Sequence, residues 1–170
     1  LYRRHAQGAV VRSAGSFIMW LSCLTAYLIG LVRLDNFIGD TIAVAYLILM
    51  NPPALWMLKR IRNLRAAVAF SLGVNLLEII GYTAVIYSLG GIEATYLTPI
   101  YAALIIYVGV VGTRTMPFII AALCSISFGA MIAMEYFGII RSLKINPLYI
   151  VPWSSQLGIL AVDTGLFFLI

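Results

Sequence analysis

The chain has 170 residues, 63% of them hydrophobic and only 10% charged, against roughly 45–50% and 25% in an average soluble domain. That composition excludes an ordinary water-soluble core and points to a chain that crosses roughly 30 Å of hydrocarbon at about 20 residues per helix. The net charge of +5 does not imply nucleic acid, because the basic residues fall in short clusters beside apolar runs, where they orient helices and meet anionic headgroups.

Six spans are predicted, an all-α integral membrane bundle in a single transmembrane domain. The first, residues 14–32, is too long and too closely followed by further apolar runs to be a cleaved signal peptide. A polar link from Arg33 to Asn36 turns the chain into the second span, residues 37–58. This contains Asn51-Pro52-Pro53, and the two prolines lack backbone donors and crowd the preceding turn, so a kink or break is expected with Pro52 and Pro53 as the hinge. The basic link "KRIRNLR" leads to the third span, residues 66–89, which closes at Gly90-Gly91, the residue type that reaches positive φ without a Cβ clash. The fourth span, residues 96–112, restarts over Tyr96 to Tyr101 after a stretch that is at least a turn. The fifth, residues 116–137, lies behind a link holding Arg114, and a connector with Arg141, Lys144, Pro147 and Pro152 precedes the sixth, residues 153–170. The chain opens on Leu1 rather than Met and its last apolar run reaches Ile170 without cap or turn, so it reads as a piece of a longer protein with the last helix truncated.

Counting Lys and Arg by side gives eight (Arg3, Arg4, Arg12, Lys59, Arg60, Arg62, Arg65, Arg114) against three (Arg33, Arg141, Lys144). The eight belong in the cytoplasm, which sets both ends of the chain inside. The links are too short for an extracytoplasmic binding domain, so any ligand or signal is met within the bilayer.

Ser71, Asn75, Glu78 and Tyr82 fall on one face of the third span. Glu78 lies near its middle, where an ionised carboxylate is costly unless protonated or hydrogen-bonded, so Asn75, Glu78 and Tyr82 are candidate ligand or signal-binding residues, with interhelical hydrogen bonding as the plainer use. Asp163 in the sixth span is a second acid at similar depth, and the two could share a proton or a polar ligand. Asp40 and Glu135 fall near the outer ends of their spans, within reach of water, Arg141 and Lys144. Ser125, Gly129 and Ala133, spaced by four, form a small-residue stripe for close helix packing or dimerisation, so a homodimer or partner membrane helices are expected besides the lipid. Trp20, Trp56, Trp153, Tyr96 and Tyr149 read as interface anchors. Cys23 and Cys124 each sit inside an apolar run and read as structural thiols. His5 has no nearby acid, and no phosphate loop, metal motif or catalytic constellation occurs.

Residues 75–140 carry Gly90-Gly91-Ile92 after one helix, an aromatic and proline-containing restart from Tyr96 to Tyr101 around Pro99, and Glu135-Tyr136-Phe137-Gly138 at the end of the next. This pattern resembles the N-terminal six-helix membrane region of bacterial sensor histidine kinases and related receptors. The resemblance implies a sensory input domain in the bacterial inner membrane, relaying a signal to a cytoplasmic effector beyond Ile170, with Gly90 and Gly91 in the signal-binding stretch. One branch of that family senses quinone through Gly-Gly-x-x-Asn-Pro-Phe. Here the matching positions run Gly90, Gly91, Ile92, Glu93, Ala94, Thr95 and Tyr96, so a quinone cofactor is carried by the diglycine and the aromatic alone. Two other classes fit the composition: an accessory structural subunit of a larger membrane complex, docking through the small-residue stripe, and a small substrate-binding subunit of a transporter, using Asn75, Glu78 and residues 90–96.

Overall fold

In a computed structural model of the chain, residues 2–111, 114–141, 143 and 153–170 are described, those at 2–7, 64, 111, 153 and 154 by their backbone alone. The regular structure among them is helical throughout: α1 (Tyr2–Leu28), α2 (Leu34–Arg60), α3 (Leu64–Ser88), a 3-10 segment (Gly91–Leu97), α4 (Pro99–Val111), α5 (Met116–Tyr136) and α6 (Trp153–Leu169). Four helices, over Gly8–Leu28, Leu34–Arg60, Arg65–Ser88 and Met116–Tyr136, are long and apolar enough to cross a membrane. The 3-10 segment and α4 make a fifth if taken as one span bent by 51°, and α6 is a shorter apolar helix.

The helix ends follow the local chemistry. Asp35 occupies the first turn of α2 and Lys59 and Arg60 its last, each sign opposite to the partial charge of the helix end it meets. The side chain of Asn63 accepts the N–H of Arg65 and so caps α3. After α5, Gly138 takes a positive φ, and the N–H groups of Gly138 and Ile139 return to the carbonyls of Glu135 and Met134, the closure that a left-handed glycine permits.

Three expectations are corrected. α1 begins at Tyr2 rather than residue 14, so Arg12 stands inside a helix and not in a tail. α2 passes through Pro52 and Pro53 as one helix, which removes the break, one of the two outcomes expected there. Part of the reason is Asn51, whose amide donates both to the carbonyl of Leu47 in its own helix, at 3.1 Å, and to the hydroxyl of Ser13 in α1, at 2.8 Å, holding the segment before the prolines. Finally, the stretch after Gly90-Gly91 is more than a turn. It is a 3-10 helix with Gly91, Ile92 and Ala94 buried, and α4 starts only at Pro99, three residues later than Tyr96.

α3 is the centre of the assembly, packed against α2, α5 and the 3-10 segment and touching α4, while α1 lies on α2, and α6 on α5. The core runs through it: Ile79, Val85 and Ile86 of α3 meet Tyr101 and Ile105 of α4 and Ile120, Cys124 and Phe128 of α5. Gly129 of the small-residue stripe faces Leu160 of α6, so the close approach at that position is made inside the chain. Cys23 and Cys124 are free and buried.

Candidate functional site

Glu78 stands 14 residues after Leu64 and 10 before Ser88, about 21 and 15 Å along the helix axis. Its side chain is 2% exposed, and its Oε1 lies 2.7 Å from Nε of Arg12, itself 14% exposed. An ion pair withdrawn from water is held by the mutual attraction of its members and by further partners around them. Here the Arg12 guanidinium also lies over the ring of Tyr107 in α4, 4.7 Å from its centre, an arrangement in which the ring face attracts the cation. Tyr107 can come so near because position 8 of α1 is glycine. A Cβ on Gly8 would clash with the Tyr107 hydroxyl and ring. One ion pair thus joins α1, α3 and α4.

Asn75 and Tyr82 are buried on the same face of α3 as Glu78. Beside the pair, Arg12, Asn51, Ser71 and Asn75 line a small cleft of about 20 Å³, room for about one water. The Oε2 atom of Glu78 and the Nε of Arg12 are both buried without a hydrogen bond, so the pair is held by charge attraction and is incompletely satisfied on both sides. Asp163 does not serve as the companion of Glu78: the polar neighbour of its carboxylate is the hydroxyl of Thr98, at 3.5 Å.

That Thr98–Asp163 contact marks the bend between the 3-10 segment and α4. Pro99 has no N–H for the carbonyl of Thr95, and the N–H and hydroxyl of Thr98 donate to it instead, at 3.0 and 2.8 Å. A hydroxyl carries one proton, and the shorter bond claims it. Asp163, 9% exposed and with Oδ2 unpartnered, is left with a weak contact at the break.

A third polar centre joins three helices around Thr83 of α3. Its hydroxyl donates to the carbonyl of Ile79 at 2.7 Å and meets the Tyr101 hydroxyl of α4 and, at 2.8 Å, the Ser127 hydroxyl of α5. Tyr101 is wholly buried, edge-on to Phe128 and Phe167. Interhelical hydrogen bonds in lipid average about 0.6 kcal/mol, reaching about 1.7. Because several bonds converge on one oxygen, Thr83→Val is expected to cost about 1–2 kcal/mol in equilibrium unfolding in mixed micelles, and Thr83→Ser to retain most of it. Equal losses in both variants would assign the effect to the methyl group instead.

At the other end of α3, Gly90 and Gly91 both adopt positive φ, +122° and +59°. The Glu135 carboxylate of α5 rests against Gly91 in the space a Cβ would occupy. Asp40 is 0% exposed, which corrects the expectation of a water-accessible interfacial acid: the thiol of Cys23 in α1 is its polar neighbour. Trp20 lies mid-helix, its indole N–H donating to Thr41 of α2 at 3.0 Å, and so links helices rather than anchoring a span end. Trp56 is exposed beneath Arg60. Tyr149, and the side chains of Trp153 and His5, lie outside the described residues.

Arg12, which the sequence marks only as a flanking charge, and Thr83, Thr98, Tyr107 and Ser127, which it does not single out, carry contacts between helices. Two of them have a local helical spacing, which does not report their long-range partners. Thr83 lies four residues after Ile79, whose carbonyl it reaches, and Arg12 follows Gly8 by one helical turn. Among the described residues no three His, Cys, Asp or Glu side chains gather as a metal site requires.

No family model, curated protein or solved structure matches this chain.

Proposed function

We propose that this chain is the membrane-embedded input domain of a bacterial signal receptor, a six-helix bundle with both ends in the cytoplasm that relays a signal through α6 to a cytoplasmic effector of the histidine-kinase kind. The observation that carries it is the Arg12–Glu78 pair, held over Tyr107 and thus shared by three helices. A buried ion pair with one unpartnered carboxylate oxygen is a sensitive coupling element. A ligand group or proton that satisfies Glu78 weakens its hold on Arg12 and frees α1 to move against α3 and α4.

Two further features support the proposal. Residues 90–101 and 135–138 carry the pattern that resembles sensor kinases. The orientation also survives the reassignment of Arg12: taking it from the eight basic residues leaves seven on the cytoplasmic side against three.

The test is made in the full-length receptor in native membranes, reading autophosphorylation of the effector. Arg12→Gln and Glu78→Gln should each lock output in one state, and the exchange Arg12→Glu with Glu78→Arg should recover regulated output. Regulation unchanged in both single variants would exclude the pair as the coupling element.

A further inference from the structure

We propose that the basic end of the α2–α3 hairpin holds one anionic phospholipid, its phosphate on Lys59, Arg60 and Arg62 and one acyl chain along the outer seam of the two helices. Two hollows on the surface carry this. The first, about 460 Å³, is lined by Trp56, Lys59, Arg60 and Arg62. No acidic side chain lines it, and the Arg60 guanidinium is held over the Trp56 ring, 3.7 Å from its centre. The second, about 500 Å³, is lined by Met50, Pro53, Ala54 and Met57 of α2 and Phe70, Gly73, Val74 and Leu77 of α3, without a polar side chain among the described residues.

The two hollows share a face of α2. Met50, Pro53, Met57 and Arg60 follow one another at spacings of three, four and three, a single helical stripe. The cationic hollow therefore lies at the end of the apolar groove, as a phosphate lies at the end of its acyl chain. From Met50 to Met57 the groove runs seven residues, about 10 Å, enough for the upper part of a chain. Gly73 opens it: a Cβ there would meet no atom within 4 Å.

Charge complementarity sets the headgroup. Basic residues beside a bilayer contribute about 1 kcal/mol each toward anionic lipid, about fivefold in affinity. A zwitterionic lipid, which brings its own cation to a hollow with no acid, gains far less. The groove adds shape rather than hydrophobic drive, because a tail in hydrocarbon gains only packing. The inference uses the bilayer setting of the proposed function but not its sensing role.

The experiment uses the whole chain in micelles, with lipid adducts counted by native mass spectrometry while phosphatidylglycerol or phosphatidylcholine is titrated. Phosphatidylglycerol should bind one per chain and phosphatidylcholine should not. Neutralising Lys59, Arg60 and Arg62 together to Gln should weaken binding about a hundredfold. Gly73→Leu, whose Cβ would meet no protein atom within 4 Å and whose side chain would enter the groove, should weaken it about fivefold, with an unfolding midpoint in lipid-free micelles no lower than the parent's showing the fold intact. Equal occupancy by the two lipids would overturn the proposal, as would full affinity in Gly73→Leu. Competition by soluble glycerol phosphate as effective as that by the lipid would assign the site to a free phosphate and overturn it too.

Discussion

Arg12→Leu is expected to destabilise the protein by about 3–5 kcal/mol, the cost of stranding one member of a buried ion pair. The physical reason is asymmetric. Glu78 is 2% exposed and has one carboxylate oxygen without any hydrogen bond, and among the described residues Arg12 is the cation paired with it. Without Arg12, Glu78 must keep an uncompensated charge in a low-dielectric interior or take up a proton. The double variant Arg12→Leu with Glu78→Leu removes both charges and should lie within about 1–2 kcal/mol of the parent, because well-packed apolar replacements of buried pairs are often neutral or stabilising. Equilibrium unfolding in mixed micelles measures all three. A double variant as unstable as the sum of the singles would show that the pair is not coupled.

Gly91→Ala has the second large effect. A left-handed backbone costs an L-residue about 1–2 kcal/mol, and Gly91 sits at φ +59°. The new methyl would also occupy the place of the Glu135 carboxylate, adding about 1–3 kcal/mol of overpacking. The same substitution made in a Glu135→Ala background should lose the packing part and keep the backbone part, so the cost should fall to about 1–2 kcal/mol. The same cost in both backgrounds would mean that Glu135 yields freely. A negligible cost in either would mean that the turn can relax to another conformation.

Much of the molecule was legible in its residues. Apolar runs of about 20 residues separated by basic or glycine-bearing links fix where helices lie, since hydrocarbon tolerates little else. The face of Asn75, Glu78 and Tyr82 was readable because α-helical periodicity alone brings them together. The buried state of Cys23 and Cys124 followed from their apolar neighbours in the chain.

What failed did so for identifiable reasons. Arg12 precedes the most apolar part of α1, so composition assigned it to a tail. Its burial depends on an acid 66 positions away in α3, and no local rule reports that. The prolines of α2 predict a kink or a break, and the helix stays unbroken where Asn51 bonds back to Leu47 and across to Ser13. Residues 91–97 looked like a turn because the run is short and mixed, whereas burial of Ile92 and Ala94 under neighbouring helices holds it as a 3-10 segment. Asp40 looked interfacial by its position along α2, but its neighbours on α1 decide its exposure.

The sequence by itself determined that the chain is helical and apolar enough to cross a membrane several times, and which residues are chemically unusual there. Both follow from composition and period, which act along the chain. Only the tertiary structure decided that Glu78 pairs with Arg12 while Asp163 meets Thr98, and that Thr83 gathers α4 and α5. Partner choice between buried polar groups depends on which helix faces which, and in a chain of similar apolar helices that order is set by packing between distant segments.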